Sequence, residues 1–192
     1  MVDLSQAADS VRVDAFWKLV RTEQLPELGQ GPRAGVMALA ELEPRLRAFC
    51  RSQGVGPERC DLLVATGLLY HDHQNESHDL VQDMTDVDGG LIHAILHRRE
   101  PDYWNAKYWF RRVGDHPVYR GLAARVAAAA ESEPARDILR RLTLSGTVDP
   151  LGIVDACEAV ARRPGTDPAV EFLRRLQHAE FEGFVGHLLA AG

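Results

Sequence analysis

The chain has 192 residues, 45% of them hydrophobic and 26% charged, with a net charge of −6, which excludes disordered, collagen-like and fibrous sequences and fits one domain spanning 1–192. No stretch reaches the roughly 18 apolar residues that span a bilayer, and Met1–Asp14 has neither the basic start nor the apolar run of a signal peptide, so a cytoplasmic protein with no membrane partner is expected. The acidic balance opposes nucleic-acid binding, and three cysteines without a CxxC pair oppose both a disulfide framework and a thiolate zinc site.

In chain order, apolar spacing predicts helices at Ser10–Thr22, Gly35–Gln53 with a kink at Pro44, Pro57–Met84, Gly90–Arg99, Pro117–Ser132, Pro134–Leu142, Pro150–Arg163 and Pro168–Ala190. Prolines mark several starts, because a proline at the first helical position removes only an N–H that would be unsatisfied anyway. Asp149-Pro150 and Asp167-Pro168 add a capping carboxylate to that signal. In the last helix Val170, Leu173, Leu176, Phe181, Phe184, Val185 and Leu188 recur every three or four residues, a core-facing stripe. Gln24–Arg33, with two prolines and two glycines, reads as a connector or a lid, and Leu142–Val148 as a short connection. No segment alternates as a strand does. The fold class expected is all-α, an irregular multi-helix bundle of about seven or eight helices with no significant sheet.

Six of the eight histidines fall between residues 71 and 116. If Pro57–Met84 is one helix, His71, Asn75, His78 and Gln82 share a polar stripe at 100° per residue, and His73 points into the core with Leu62, Leu69, Leu80 and Met84. Asp72, Glu76, Asp79 and Asp83 then form a solvated acidic face. In the next helix His93, His97 and Glu100 lie within about 60° of one another, opposite Leu91, Ile92, Ile95 and Leu96. A tight turn makes the two helices antiparallel neighbours, so His78 can join His93 and His97 as ligands of one divalent transition metal. Glu100 or Glu76 would be a fourth ligand or general base, with Glu100 and His97 as the catalytic candidates. A metal-free polar pocket and a structural hydrogen-bond network are the alternatives, since H-x-x-x-H lacks the internal glutamate of a zincin helix.

Residues 97–117 then concentrate charge and aromatic groups, and are expected to cross the bundle as a turn of helix flanked by loops. As a pocket for a small anionic ligand, this segment offers Arg99, Lys107, Arg111 and Arg112 for charge, Asn105 for orientation, and His116. As a structural device it is a buried ion-pair network.

The residues Ser77-His78, His93, His97-Arg98-Arg99-Glu100-Pro101-Asp102, Asn105-Ala106-Lys107-Tyr108-Trp109-Phe110-Arg111-Arg112-Val113-Gly114 and His116-Pro117 resemble the signature of a family of bacterial and fungal proteins with no established activity. The resemblance implies where a site would lie and no reaction. The family carries a tryptophan just before the first histidine of the motif, where this chain has Ile92.

Nucleophile-elbow, Walker, dinucleotide and kinase motifs are all missing. Two classes of function stand: a metal-dependent hydrolase or lyase acting on a small anionic substrate, and a non-catalytic helical binding or scaffold protein whose charged motif is internal glue. Under the second, replacing Glu100 would strand a buried arginine. A homodimer is a plausible partner state, although no sequence feature argues for it.

Overall fold

The computed structural model describes residues 4–143 and 146–190. Among them are eleven α-helices, one 3-10 turn and no strand: α1 (Leu4–Val20), α2 (Leu39–Ser52), α3 (Pro57–Tyr70), α4 (Gln74–Val81), α5 (Val87–Arg99), α6 (Tyr103–Val113), α7 (Pro117–Arg120), α8 (Leu122–Val126), α9 (Glu133–Leu142), α10 (Pro150–Val160) and α11 (Pro168–Leu189). The all-α class is as expected. Residues 144 and 145 of the expected Leu142–Val148 connection lie outside the described residues.

The helix starts obey capping chemistry. The side chains of Asp149 and Asp167 accept from the backbone N–H groups of Leu151 and Ala169, with Pro150 and Pro168 opening α10 and α11. Asp86, Asp102 and Ser132 cap α5, α6 and α9 in the same way. The seven apolar residues expected along α11 are all buried, and one apolar cluster draws side chains from α1 through to α11. The central helix is α5, whose residues from Gly89 to Arg99 are all buried. Its principal neighbour is α6. A side chain at Gly90 would stand 3.1 Å from Val113, so a glycine there permits that close approach.

The helix count exceeds the expected seven or eight for three local reasons. Residues 103–113 form three turns of regular helix instead of one turn between loops, because Asp102 caps them and Ala106, Phe110 and Val113 bury one face. Residues 117–132 divide at Gly121 into α7 and α8, followed by a 3-10 turn at Ala127–Ala129. The expected helix Pro57–Met84 breaks at residues 71–73, where Asp72 takes a left-handed backbone with φ of 64°. Aspartate tolerates that region better than most residues.

The break corrects several expectations. His71 leaves the polar stripe: its Nδ1 accepts from the Met37 N–H at 2.9 Å, leaving Nε2 to donate to the Val20 carbonyl at 2.8 Å. His73 is not a core residue but precedes α4, with Nε2 bonded to the Met37 carbonyl at 2.8 Å. Asp72 belongs to no solvated face. Its side chain is 1% exposed, with Oδ1 2.5 Å from Arg33 and 2.7 Å from Arg99. The same bonds tether the Gln24–Arg33 loop to the bundle. Arg99 also holds the carbonyl of Glu27, and Arg174 those of Leu25 and Pro26.

These contacts set a pH dependence. Burial, above all, holds the His71 pKa below the ordinary 6.5, so the unfolded chain takes up this proton first as pH falls, and stability drops below about pH 6.5. Asp72 titrates low, because the Arg33 N–H and the Arg99 hydrogen bond outweigh the opposing effect of burial. Its contribution is present above the unfolded value of 3.8 and is lost as pH falls through the lower folded value. The melting temperature should therefore fall between about pH 7 and about pH 5. His71→Asn should be less stable throughout and show a shallower fall; an equal slope would contradict the assignment.

Candidate metal centre

His93 and His97 lie one turn apart on α5 and project to the same side, the natural consequence of i, i+4 spacing on an unbroken helix. Asp86 ends the turn after α4 by capping α5, and α4 packs on α5, which brings His78 opposite the pair. Ligand-capable atoms of His78, His93 and His97 all lie within 4.8 Å of one another. Imidazole nitrogens around one tetrahedral ion stand about 3.4 Å apart, so the three would have to draw closer to share one.

The His93 ring is sandwiched in stacking contacts: His97 at 4.8 Å and 23°, Trp109 at 4.1 Å and 14°. His78 meets His93 edge-on at 4.7 Å. Burial, with the neighbouring His97 and His78, pushes the His93 pKa down to about 4. His93 is therefore neutral at physiological pH with its lone pair available. Its Nδ1 is buried with no hydrogen-bond partner, and a buried polar atom without a partner is an expense that a bound ligand can relieve.

His97 is prepared differently. Its Nδ1 lies 3.0 Å from Glu100 Oε2 and its Nε2 3.1 Å from Asn105 Nδ2. A carboxylate can only accept, so Nδ1 carries the proton, and the Nε2 lone pair faces the amide donor. A carboxylate that fixes the tautomer and raises the basicity of a ligating imidazole is the usual outer support of a metal site. Half-buried His78, Glu100 and Asn105 form the solvent side of the group.

A second group, Asp88, His116 and His187, also has its ligand atoms within 4.8 Å. Asp88 Oδ1 lies 2.8 Å from His116 Nε2 and 3.0 Å from His187 Nε2. Burial raises the Asp88 pKa, but the His116 hydrogen bond and the two imidazoles hold it below its ordinary value. Here the His116 tautomer is committed: Nδ1 accepts from the Val118 N–H that it caps, leaving Nε2 as a donor to Asp88. Metal ligation at Nε2 would force a proton onto Nδ1 against that N–H. The first group pays no tautomer penalty, since a metal at His97 Nε2 would displace only the Asn105 amide, and its chemistry is the better match to a metal.

The remaining sequence candidates divide sharply. Arg99 is fully buried, and bonds Asp72 and the Leu69 carbonyl. Lys107 turns to α10, 2.5 Å from Asp155. His116 belongs to the second group. Arg111 and Arg112 are exposed, and neither has a carboxylate partner among the described residues. Arg112 stands over Trp109 at 5.1 Å, the ring that stacks on His93. Glu100 bonds His97 and no buried arginine, so the expected Glu100 counter-ion role passes to Asp72 and Glu180. Sequence reasoning missed Trp109 as a wall of the site. It also missed His187, for which no local spacing signal exists. A separate cleft between α9 and α10, lined in part by Ile138, Arg141, Leu142, Gly152, Ala156 and Val160, shares no residue with the three histidines.

Compared with known proteins, the chain matches no family model, no curated protein and no solved structure.

Proposed function

We propose that this protein is a metal-dependent hydrolase or lyase acting on a small anionic substrate, with one divalent transition metal held by His78, His93 and His97. The observation that carries the reading is the convergence of three imidazoles with one buried, unpartnered ring nitrogen and one carboxylate-oriented ring. Three neutral nitrogen ligands suit zinc or a neighbouring first-row ion and leave a coordination position open. Such an ion supplies Lewis acidity and an activated water.

The chain's own residues supply the rest. Glu100 positions His97 through Oε2, while Oε1 stays available to hold a proton of water or substrate at the half-buried rim. Asn105 can turn its amide from His97 toward a substrate oxygen. Arg112 provides positive charge at the rim, the source of the preference for an anion.

One observation favours a structural role for part of the motif. Arg98 and Arg99 are fully buried and ion-paired with Glu180 and Asp72. The HRRE segment thus serves both purposes, with its two arginines inward and its histidine and glutamate at the site.

The test is Glu100→Ala. Removing an outer-shell carboxylate weakens metal affinity by about 10- to 100-fold, with little change in melting temperature of the metal-free protein because Glu100 pairs with no buried cation. Hydrolysis or elimination, screened over phosphate and carboxylate esters with zinc-loaded protein, should fall with it. Unchanged metal affinity together with a large loss of stability would favour the scaffold reading.

A further inference from the structure

Helix α6 has four sides, and three are accounted for. Ala106, Phe110 and Val113 enter the core, Lys107 meets α10, and Asn105 and Trp109 face the histidines. The fourth carries Trp104 and Tyr108, one turn apart and 77% and 42% exposed. Their rings are near parallel, at 10° with centroids 6.3 Å apart. Neither ring belongs to the apolar core, and two large aromatic rings side by side at the surface make a contiguous patch of the kind that marks a binding site.

This shelf is continuous with the metal centre. Tyr108 meets Trp109 edge-on at 5.7 Å, and Trp109 stacks on His93. Trp104 is the chain neighbour of Asn105, which bonds His97. Arg112 closes the arrangement, with its guanidinium 5.8 Å from the Tyr108 centroid, 5.1 Å from that of Trp109, and 3.0 Å from the Tyr108 hydroxyl. It is a cation held in place by aromatic faces and a neutral hydroxyl, with no carboxylate partner among the described residues. Lys107, on the same helix, is by contrast neutralised by Asp155.

We infer that Trp104, Tyr108 and Arg112 form a recognition subsite beside the histidines, and that the substrate is an aromatic anion, a planar ring bearing a carboxylate or phosphate. The inference rests on the three histidines being the reacting centre and adds the substrate class to that reading. Stacking on exposed aromatic side chains recognises a flat π-face, and a guanidinium recognises the anion with paired N–H donors. Both groups stand at one rim, so a ligand carrying both features satisfies them together.

The test is calorimetric titration of the full chain with phenyl phosphate and with methyl phosphate, in chelator-stripped and in zinc-loaded protein. Phenyl phosphate should bind about 10-fold more tightly than methyl phosphate in both forms. Trp104→Ala, at an exposed position, should keep the wild-type melting temperature, abolish most of that preference and leave methyl phosphate binding unchanged. Arg112→Ala should weaken both probes by about 10-fold, with partial recovery in Arg112→Lys. Equal binding of the two probes, or a ring preference that survives Trp104→Ala, would overturn the inference. So would a dimer that Trp104→Ala converts to a monomer, since the shelf would then be covered by a second copy. Ring preference in stripped protein reports the shelf, and the zinc-dependent gain reports the histidines, so failure of one is read separately from failure of the other.

Discussion

Glu180→Ala should destabilise the protein by about 3–5 kcal/mol, the usual consequence of removing one partner from a fully buried ion pair. Arg98 and Glu180 are both 0% exposed. They meet through Arg98 Nη2 to Glu180 Oε2 at 2.5 Å and Nη1 to Oε1 at 3.2 Å, and the Tyr119 hydroxyl donates to Oε1 at 2.6 Å. An arginine stays charged under almost any burial, and here the charge of Glu180 overcomes desolvation and raises the Arg98 pKa further. Without Glu180 the guanidinium would keep, among the described residues, only the Gln177 side chain, at 3.5 Å, and the face of Phe110. For a chain of this length, the loss corresponds to a fall in melting temperature of roughly 6–20 °C. Replacing both charges, as Arg98→Met with Glu180→Gln, should restore part of it, because no charge is then left buried without its partner and the introduced amide can still accept from Tyr119. A Glu180→Ala protein that melts at the wild-type temperature would contradict the network.

Zinc added to chelator-stripped protein should raise its melting temperature by roughly 8–16 °C at a free concentration about a thousand times the dissociation constant. That concentration corresponds to about 4 kcal/mol of linkage and roughly 2–4 °C per kcal/mol for a domain of this size. His93 is neutral and desolvated at physiological pH, so its free ring nitrogen takes the metal without first losing a proton. His93→Ala should remove the stabilisation. Asp88→Asn should retain it, because the second histidine group holds its protons where a metal would need lone pairs. Loss of stabilisation in Asp88→Asn with retention in His93→Ala would move the metal to the other group.

What could be read from the sequence was whatever is local. The starts of α10 and α11 follow from Asp-Pro pairs, the buried face of α11 from a three-and-four spacing, and the convergence of His93 and His97 from one turn of unbroken helix. The joining of His78 followed from a short turn between neighbouring helices. Extrapolating 100° per residue failed at Asp72, because a single left-handed residue resets the phase of everything beyond it. The true role of Asp72 was out of reach, since its partners Arg33 and Arg99 come from other elements. The same holds for Arg98 and Glu180, which are 82 residues apart, and for His187 beside Asp88. Helix α6 was different, for its signal was present: a capping Asp102 and buried positions at Ala106, Phe110 and Val113 are spaced as a helix requires. The density of charged and aromatic residues around them obscured that period.

The central claim is that His78, His93 and His97 hold one divalent metal, and elemental analysis tests it most directly. The protein would be purified without an affinity tag or chelator, beside a variant with all three histidines replaced by alanine and beside Asp88→Asn. The account predicts close to one equivalent of a first-row divalent metal in the wild type and in Asp88→Asn, and none in the triple variant. Metal-free wild type that takes up no zinc on incubation, or metal retained by the triple variant, would contradict it.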